Sequence, residues 1–127
     1  MYLYRIFIFL FLITDVYGQT NTSNITIVRD KWGVPHIYGT TDKEAAYGLA
    51  WAHSEDDFET IQKTFLSSKG MLGRLEGPNG AILDFAVELL RSREVAKKEL
   101  KNLSPEGLNI IYGYLEGLNA YAKKYPE

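Results

Sequence analysis

The sequence predicts an α+β fold, in which one N-terminal β-hairpin is followed by about three helices. Residues 25–38 contain an alternation of apolar and polar side chains that is typical of strands. Helix-capping residues then precede apolar stripes of helical spacing. Because two strands cannot cover the apolar stripes of three helices, we expect the chain to be a fragment of a larger domain.

The composition is that of a globular protein and excludes several classes of function. Hydrophobic residues make up 46% of the chain and charged residues 24%, and the net charge of -2 offers no basic surface to nucleic acid. The absence of cysteine excludes disulfides, cysteine-ligated zinc and a thiol nucleophile. The chain has only two histidines, His36 and His53, which offer few ligands for a histidine-based metal site.

Residues 1–18 have the pattern of a secretory signal peptide. Arg5 gives a positive head, Ile6 to Ile13 form an unbroken apolar run, and the segment ends at the small residue Gly18. As a helix the apolar run spans only about 12 Å, far short of the ~30 Å hydrocarbon core. We therefore expect cleavage after Gly18, no stable membrane span and a periplasmic or secreted protein. The alternative is a buried hydrophobic helix.

The mature chain is expected to begin with a polar leader, residues 19–24, and to continue as an incomplete domain, residues 25–127. Its hairpin is predicted from the alternation around Ile25 and Ile27 and from a turn at Gly33. Pro35 lacks an N–H for the strand ladder, so the second strand is predicted to be an edge or to be bulged there.

The first predicted helix starts at Thr41, which forms a capping box with Glu44, and stops at Gly70. Because it is apolar on several sides, we expect it to be buried. Its main stripe has alternating spacings of four and three residues: Tyr47, Trp51, Ser54, Phe58, Ile61 and Phe65.

Two further helices are predicted after a turn-rich connection at residues 70–80, which matches no phosphate-binding pattern. Asp84 is expected to cap the second helix, which runs to about residue 100. The third opens with Ser104 as the N-cap and Pro105 at the first helical position. Its stripe consists of Leu108, Ile111, Leu115, Leu118 and Ala122.

The residues alone do not assemble a catalytic set. Ser54 follows His53, but neighbouring helix residues point about 100° apart, so this pair cannot form a nucleophile–base hydrogen bond. The acidic run 55–57 fits either a calcium or acid–base site, or a solvated helix face with one acid paired to a buried base. We favour the second interpretation because successive helical residues do not converge, with Asp56 as the buried and paired acid.

The segment RDKWGVPHIYG at residues 29–39 is dense in functional groups. Its histidine, His36, is expected to be a hydrogen-bonded sheet residue rather than a base. Arg29 and Asp30 are expected, like His36, to hold the strands to neighbouring elements.

Three blocks of sequence carry a resemblance to a known family: IVRDKWGVPHIYG at 27–39, YGLAWAHSEDD at 47–57 and LSPEGLNIIYGYLEGLNAY at 103–121. In this order and spacing they resemble the N-terminal part of the penicillin acylases, a group of N-terminal nucleophile hydrolases that includes acyl-homoserine-lactone and cephalosporin acylases. The matching residues are Arg29, Asp30, Gly33, Pro35, His36 and Ile37, then Tyr47, Gly48 and Asp56, then Leu103, Ser104, Pro105, Glu106, Gly117, Asn119 and Ala120.

Two positions depart from the family's pattern. Ala50 stands where the pattern has a glycine, and Asp57 stands where it has an arginine. The ion pair that this arginine makes in relatives is therefore absent or rerouted, and the natural substrate and acyl preference stay open.

The resemblance implies an exported amidohydrolase that acts on a small acylated amide and releases an acyl group from an amine. The precursor would cleave itself into a smaller α and a larger β subunit within an αββα fold. The family's nucleophile is the serine at the new β N-terminus, with its own α-amino group as the base, so we expect it downstream of Glu127.

No catalytic or metal residue is therefore assigned within residues 1–127, and the substrate-binding residues stay unknown. This fragment alone is expected to be inactive and to hold no cofactor, whereas calcium is left open for the full-length enzyme. The alternative function is a non-catalytic truncated relative or a small secreted binding module.

Overall fold

The computed structural model describes residues 19–126, and the predicted signal peptide at 1–18 lies outside them. Within the described part, a two-stranded antiparallel sheet is followed by helices. The strands are β1 (Thr26–Arg29) and β2 (Pro35–Tyr38), and the helices are α1 (Asp42–Ser68), α2 (Gly73–Glu76), α3 (Pro78–Leu89), α4 (Ser92–Glu99) and α5 (Pro105–Lys124). Short 3-10 turns at Thr22–Asn24 and Leu100–Asn102 precede β1 and α5. None of these helices has the length and apolarity needed to cross a membrane.

The hairpin forms as the sequence predicts. β1 and β2 pair antiparallel, with Thr26 opposite Tyr38 and Arg29 opposite Pro35. Gly33 has a φ of +85°, the left-handed backbone that the turn requires and that glycine adopts without strain. Pro35 is the first residue of its strand, a position where a missing N–H is tolerated.

The predicted capping box at the start of α1 is confirmed. The Thr41 hydroxyl accepts the N–H of Glu44 at 3.2 Å, and the Glu44 carboxylate accepts the N–H of Thr41 at 3.1 Å. The helix ends with Lys69 as the C-cap, and Gly70 follows with a φ of +63°. Both ends of α1 are therefore set by local sequence.

The middle of α1 differs from the prediction, because the helix is kinked at Asp57. This residue has a φ of −161° and a ψ of 75°, and its carboxylate accepts the N–H of Thr60 at 3.0 Å, which caps the second half of the helix. The kink divides the predicted stripe. Before the kink, the buried positions are mostly small: Glu44, Ala46, Gly48, Ala50, Ala52 and Ser54.

α1 and α5 pack with their backbones close together, and two glycines of α5 allow it. A Cβ at Gly113 would collide with the carbonyl oxygen of Lys43, and one at Gly117 would collide with that of Tyr47. The Gly117 position would also lie 2.9 Å from the Cβ of Ala50. The predicted α5 stripe lacked both glycines, and of its members only Leu118 is buried.

The hairpin packs on α1 at Gly48. A Cβ there would lie 2.7 Å from Ile37 and 3.0 Å from Ile25. α1 is therefore the central element, in contact with the hairpin and α5, and its small side chains let both neighbours approach closely.

The prediction that Asp84 caps a single second helix is wrong. α3 already begins at Pro78, so Asp84 lies inside it, and Arg91 with a φ of 53° separates α3 from α4. The Asp84 carboxylate instead accepts the N–H groups of Leu72 and Gly73, each at 2.8 Å. It thereby caps α2, a short helix within the predicted turn-rich connection.

We predict that Gly117→Ala lowers the free energy of unfolding by about 1–3 kcal/mol, because the added methyl group forces α1 and α5 apart. Chemical denaturation of the complete protein that contains this segment measures this. The matched control is Gly107→Ala on the same helix, where a Cβ meets only the Ser104 hydroxyl at 3.4 Å. Equal stability of the two variants would contradict the close packing of α1 and α5.

Candidate functional site

Arg29 fastens the hairpin to α1 just before the kink. Its Nη1 donates to the carbonyl of Gly33 at 2.8 Å, while its Nη2 lies 2.8 Å from Asp56 Oδ1 and 3.3 Å from Glu55 Oε2. Nη2 also donates to the carbonyl of Ala52 at 3.3 Å. The side-chain hydrogen bonds to Asp56 and Glu55 raise the pKa of Arg29 above its ordinary value. Arg29 thus joins a turn to a helix, the role expected from the sequence.

Asp30 organises the hairpin turn. Its Oδ1 accepts the N–H of Trp32 at 2.9 Å and that of Val34 at 3.0 Å, and its Oδ2 lies 3.5 Å from His36 Nε2. Burial would raise the pKa of Asp30, but hydrogen bonds from the two N–H groups and from His36 hold that pKa below its ordinary value. Asp30 and His36 therefore connect the two strands to each other rather than to another element.

The acidic run on α1 is paired, but it is not buried. Asp56 binds Arg29 as predicted, yet 53% of its side chain is exposed, so its predicted burial is wrong. Arg29 is not a buried base either, because 32% of its side chain is exposed. Glu55 accepts the Trp51 Nε1–H at 2.9 Å, and Asp57 caps the second half of α1. Glu55 and Asp56 therefore share Arg29 as a partner, whereas Asp57 caps its own helix.

Ser54 and His53 point away from each other. The buried Ser54 hydroxyl donates to the carbonyl of Ala50 at 2.7 Å, within its own helix. His53 Nδ1 lies 3.1 Å from the Tyr114 hydroxyl on α5. Both side chains are engaged in helix contacts, and their geometry does not form a nucleophile–base pair.

Two partly buried glutamates hold the residues that precede β1, and the sequence analysis missed both contacts. Glu44, only 7% exposed, accepts the Asn24 Nδ2–H at 3.3 Å. Glu116 on α5 accepts the N–H of Thr20 at 3.0 Å and also the Thr20 hydroxyl, while its other oxygen lies 2.8 Å from Lys43 Nζ. No periodic pattern in residues 19–24 pointed to these contacts.

The same hydrogen bonds set the acidity of the two glutamates. Burial would raise the pKa of Glu116, but hydrogen bonds from Lys43 and Thr20 hold it below its ordinary value. The pKa of Glu44 is likewise raised by burial and lowered more strongly by the N–H of Thr40 and the Asn24 side chain. Both carboxylates are therefore charged at neutral pH. Among residues 19–126, no three His, Cys, Asp or Glu side chains come together as candidate metal ligands.

The comparison with known families decides the identity of the chain, because the family model described as penicillin amidase matches residues 24–127. The chain belongs to the penicillin amidase family. The match includes the hairpin, the Arg29 contacts and all of α1 to α5. The resemblance drawn from the three sequence blocks is confirmed.

Relatives that are named as acylases are about a quarter identical to this chain over the aligned residues. Penicillin G acylase of Escherichia coli is 27% identical over 107 residues, which cover 84% of this chain and 13% of that protein. Acyl-homoserine lactone acylase QuiP of Pseudomonas aeruginosa is 28% identical over 102 residues, which cover 80% of this chain and 12% of the relative. The chain thus spans only a small part of the length of these relatives.

A solved member of the penicillin amidase family has the same fold over most of this chain. The thermostable penicillin G acylase from Alcaligenes faecalis superposes with a TM-score of 0.71 at 24% identity. The superposition covers 80% of this chain and 56% of the solved chain. The hairpin followed by helices is therefore the arrangement found in a penicillin acylase.

We predict that Arg29→Lys destabilises the protein and that Arg29→Met destabilises it further. Lysine keeps the charge, but it lacks the planar guanidinium that donates hydrogen bonds to Gly33, Glu55 and Asp56 at once. Denaturation midpoints of the complete protein at constant pH measure the order, with Arg74→Lys on the exposed surface of α2 as the control. An unchanged midpoint for Arg29→Lys would show that charge alone accounts for the contact.

We predict that stability falls as the pH drops below 4.5, the ordinary pKa of glutamate. Because the folded pKa values of Glu44 and Glu116 are lowered, the unfolded chain takes up protons first, and their contribution is lost as the pH falls through the folded values. Glu116→Gln should make the acid dependence of the unfolding midpoint shallower. Glu106→Gln, an exposed change on the same helix, should leave it as steep as in the wild type.

Proposed function

We propose that this chain is the N-terminal part of an exported amidohydrolase that cleaves a linear amide bond and releases an acyl group from an amine. The observation that carries the proposal is the family match across residues 24–127. The relatives are named as acylases of penicillin G and of acyl-homoserine lactones. In both compounds an amide bond joins an acyl group to an amine. The proposed substrate class is therefore a small acylated amide.

The catalytic groups are proposed to lie in polypeptide that follows Glu127. The relatives' length supports this, since the chain spans 13% of the Escherichia coli enzyme. One relative, from a Pseudomonas species, is named a proenzyme, which supports maturation of a single precursor into α and β subunits. In this proposal a serine freed at the β N-terminus attacks the amide carbonyl while its α-amino group takes the hydroxyl proton and passes it to the departing amine. Water then hydrolyses the acyl-serine ester and releases the acid.

Exposed apolar side chains support a β subunit packed against this segment. Ile82, Phe85 and Leu89 recur at helical spacing on α3 and are 68–70% exposed, and Trp32 at the hairpin turn is 76% exposed. Large apolar residues grouped in this way are unusual on the surface of a free monomer. We propose that they are covered in the complete αββα fold.

We propose that the hairpin and its Arg29 contacts have a structural role and are not an active site. Arg29, Asp30 and His36 already have partners within the hairpin or on α1. Lys31 Nζ lies 4.2 Å from the centroid of the Trp32 ring. For calcium, which the resemblance left open, residues 19–126 bring no three carboxylates together. Export rests on the signal pattern of residues 1–18.

The test is expression of the gene read past Glu127 in an exporting bacterial host. We expect an open frame of several times this length, two secreted polypeptides by mass spectrometry, and hydrolysis of phenylacetylated or fatty-acylated amides. Replacing the serine at the processing junction by alanine should abolish both hydrolysis and maturation. A stop codon after Glu127 with a folded secreted product would instead favour the non-catalytic alternative.

Residues 19–127 expressed alone are the matched control for the same proposal. We expect this segment to lack hydrolase activity and to unfold without a cooperative transition, because the apolar faces of α3 and the hairpin stay uncovered. A sharp thermal transition would contradict its status as part of a larger domain.

A further inference from the structure

The polar segment that precedes the hairpin is fastened to α5 by a single carboxylate. Glu116 Oε2 accepts both the N–H and the hydroxyl of Thr20, and Glu116 Oε1 pairs with Lys43 Nζ at 2.8 Å. We call these three residues the Glu116 seat. It joins three parts of the chain that are distant in sequence: the leader, the first turn of α1 and the middle of α5.

The close packing of α1 and α5 builds the Glu116 seat. Gly117 follows Glu116 directly and lets α5 approach the backbone of Tyr47, which brings the carboxylate beside Lys43. Beside the seat lies an open cavity of about 290 Å³, and its walls include residues of the leader and of both helices: Gln19, Thr20, Thr22, Tyr47, Asn119 and Lys123.

We propose that the Glu116 seat receives the amino terminus of the mature chain and protects its first peptide bond. The proposal rests on the signal cleavage after Gly18 that belongs to the proposed function. That cleavage makes Gln19 the first residue, and the N–H bound by Glu116 is then the amide of the bond between Gln19 and Thr20.

The protection follows from what an aminopeptidase needs. To remove Gln19, the enzyme must bind the first peptide bond in a free, extended form and break it at the Thr20 nitrogen. That nitrogen is held at 3.0 Å by a charged acceptor, and hydrogen bonds to charged groups are the stronger kind. The segment must therefore detach from α5 before it can be trimmed.

The residues after Thr20 are held as well, which limits fraying from that side. The Asn21 side chain accepts the N–H of Ser23 at 3.1 Å and caps the 3-10 turn, and Asn24 donates to Glu44 at 3.3 Å. Glu116 binds the start of the leader and Glu44 binds its end. Because the end at Asn24 is held, the start is released mainly when the contacts of Thr20 break.

The experiment uses the complete secreted protein, incubated with a broad-specificity aminopeptidase and followed by intact-mass measurement of the N-terminal polypeptide. We expect the starting material to begin at Gln19 and to resist trimming. Glu116→Ala should lose Gln19 on the order of tenfold faster than the wild type, because the bound N–H is released. Glu116→Gln, which keeps an oxygen acceptor but not the charge, should fall between the two.

The control is Glu106→Ala on the exposed first turn of α5, which should be trimmed at the wild-type rate. If Glu116→Ala does not fold, the comparison of Glu116→Gln with Glu106→Gln decides. Equal trimming rates would overturn the inference, and so would a mature chain that begins elsewhere than Gln19. A protected Gln19 in a protein without hydrolase activity would support the seat and count against the proposed function alone.

Discussion

The close approach of α1 and α5 at Gly113 and Gly117 is the constraint on which the rest of the structure depends. Without side chains at these two positions, the α5 backbone reaches the carbonyl oxygens of Lys43 and Tyr47. This distance sets the other contacts between the helices, such as Lys43 with Glu116 at 2.8 Å and Trp51 with Tyr121, whose ring centroids lie 5.4 Å apart. If the two helices lay farther apart, both of these contacts would be lost.

A central helix with two close neighbours must be lined with small residues. Hydrophobic patterning overlooks such residues, so the sequence predicted the ends of the elements better than the contacts between the helices. Signals that act locally were enough for the ends of elements: the Thr41 capping box, the Ser104 cap, and the positive φ of Gly33. The helix stripes were harder, because the contacts are made by Gly113 and Gly117, residues that hydrophobic patterning ignores.

The features that the sequence did not predict are tertiary. Asp84 is a plausible N-cap by type, but it caps α2, a different helix that only the folded chain brings to it. The kink at Asp57 lets its carboxylate accept the N–H of Thr60, and Asp56 stays 53% exposed although it binds Arg29. The Glu116 seat joins residues 96 positions apart, beyond the reach of any periodicity argument.

In the segment RDKWGVPHIYG, a dense set of functional groups makes contacts within the hairpin and with α1. The Arg29 guanidinium is occupied by Gly33, Glu55 and Asp56, and Asp30 uses one oxygen for the turn and places the other beside His36. A catalytic group must keep a lone pair or proton available for substrate, whereas these groups use theirs on one another. These contacts hold the hairpin against α1, and they use particular residue types: a planar guanidinium and a carboxylate that accepts two N–H groups. The segment lies within the stretch that matches the penicillin amidase family, so these contacts belong to the part of the chain by which the family is recognised.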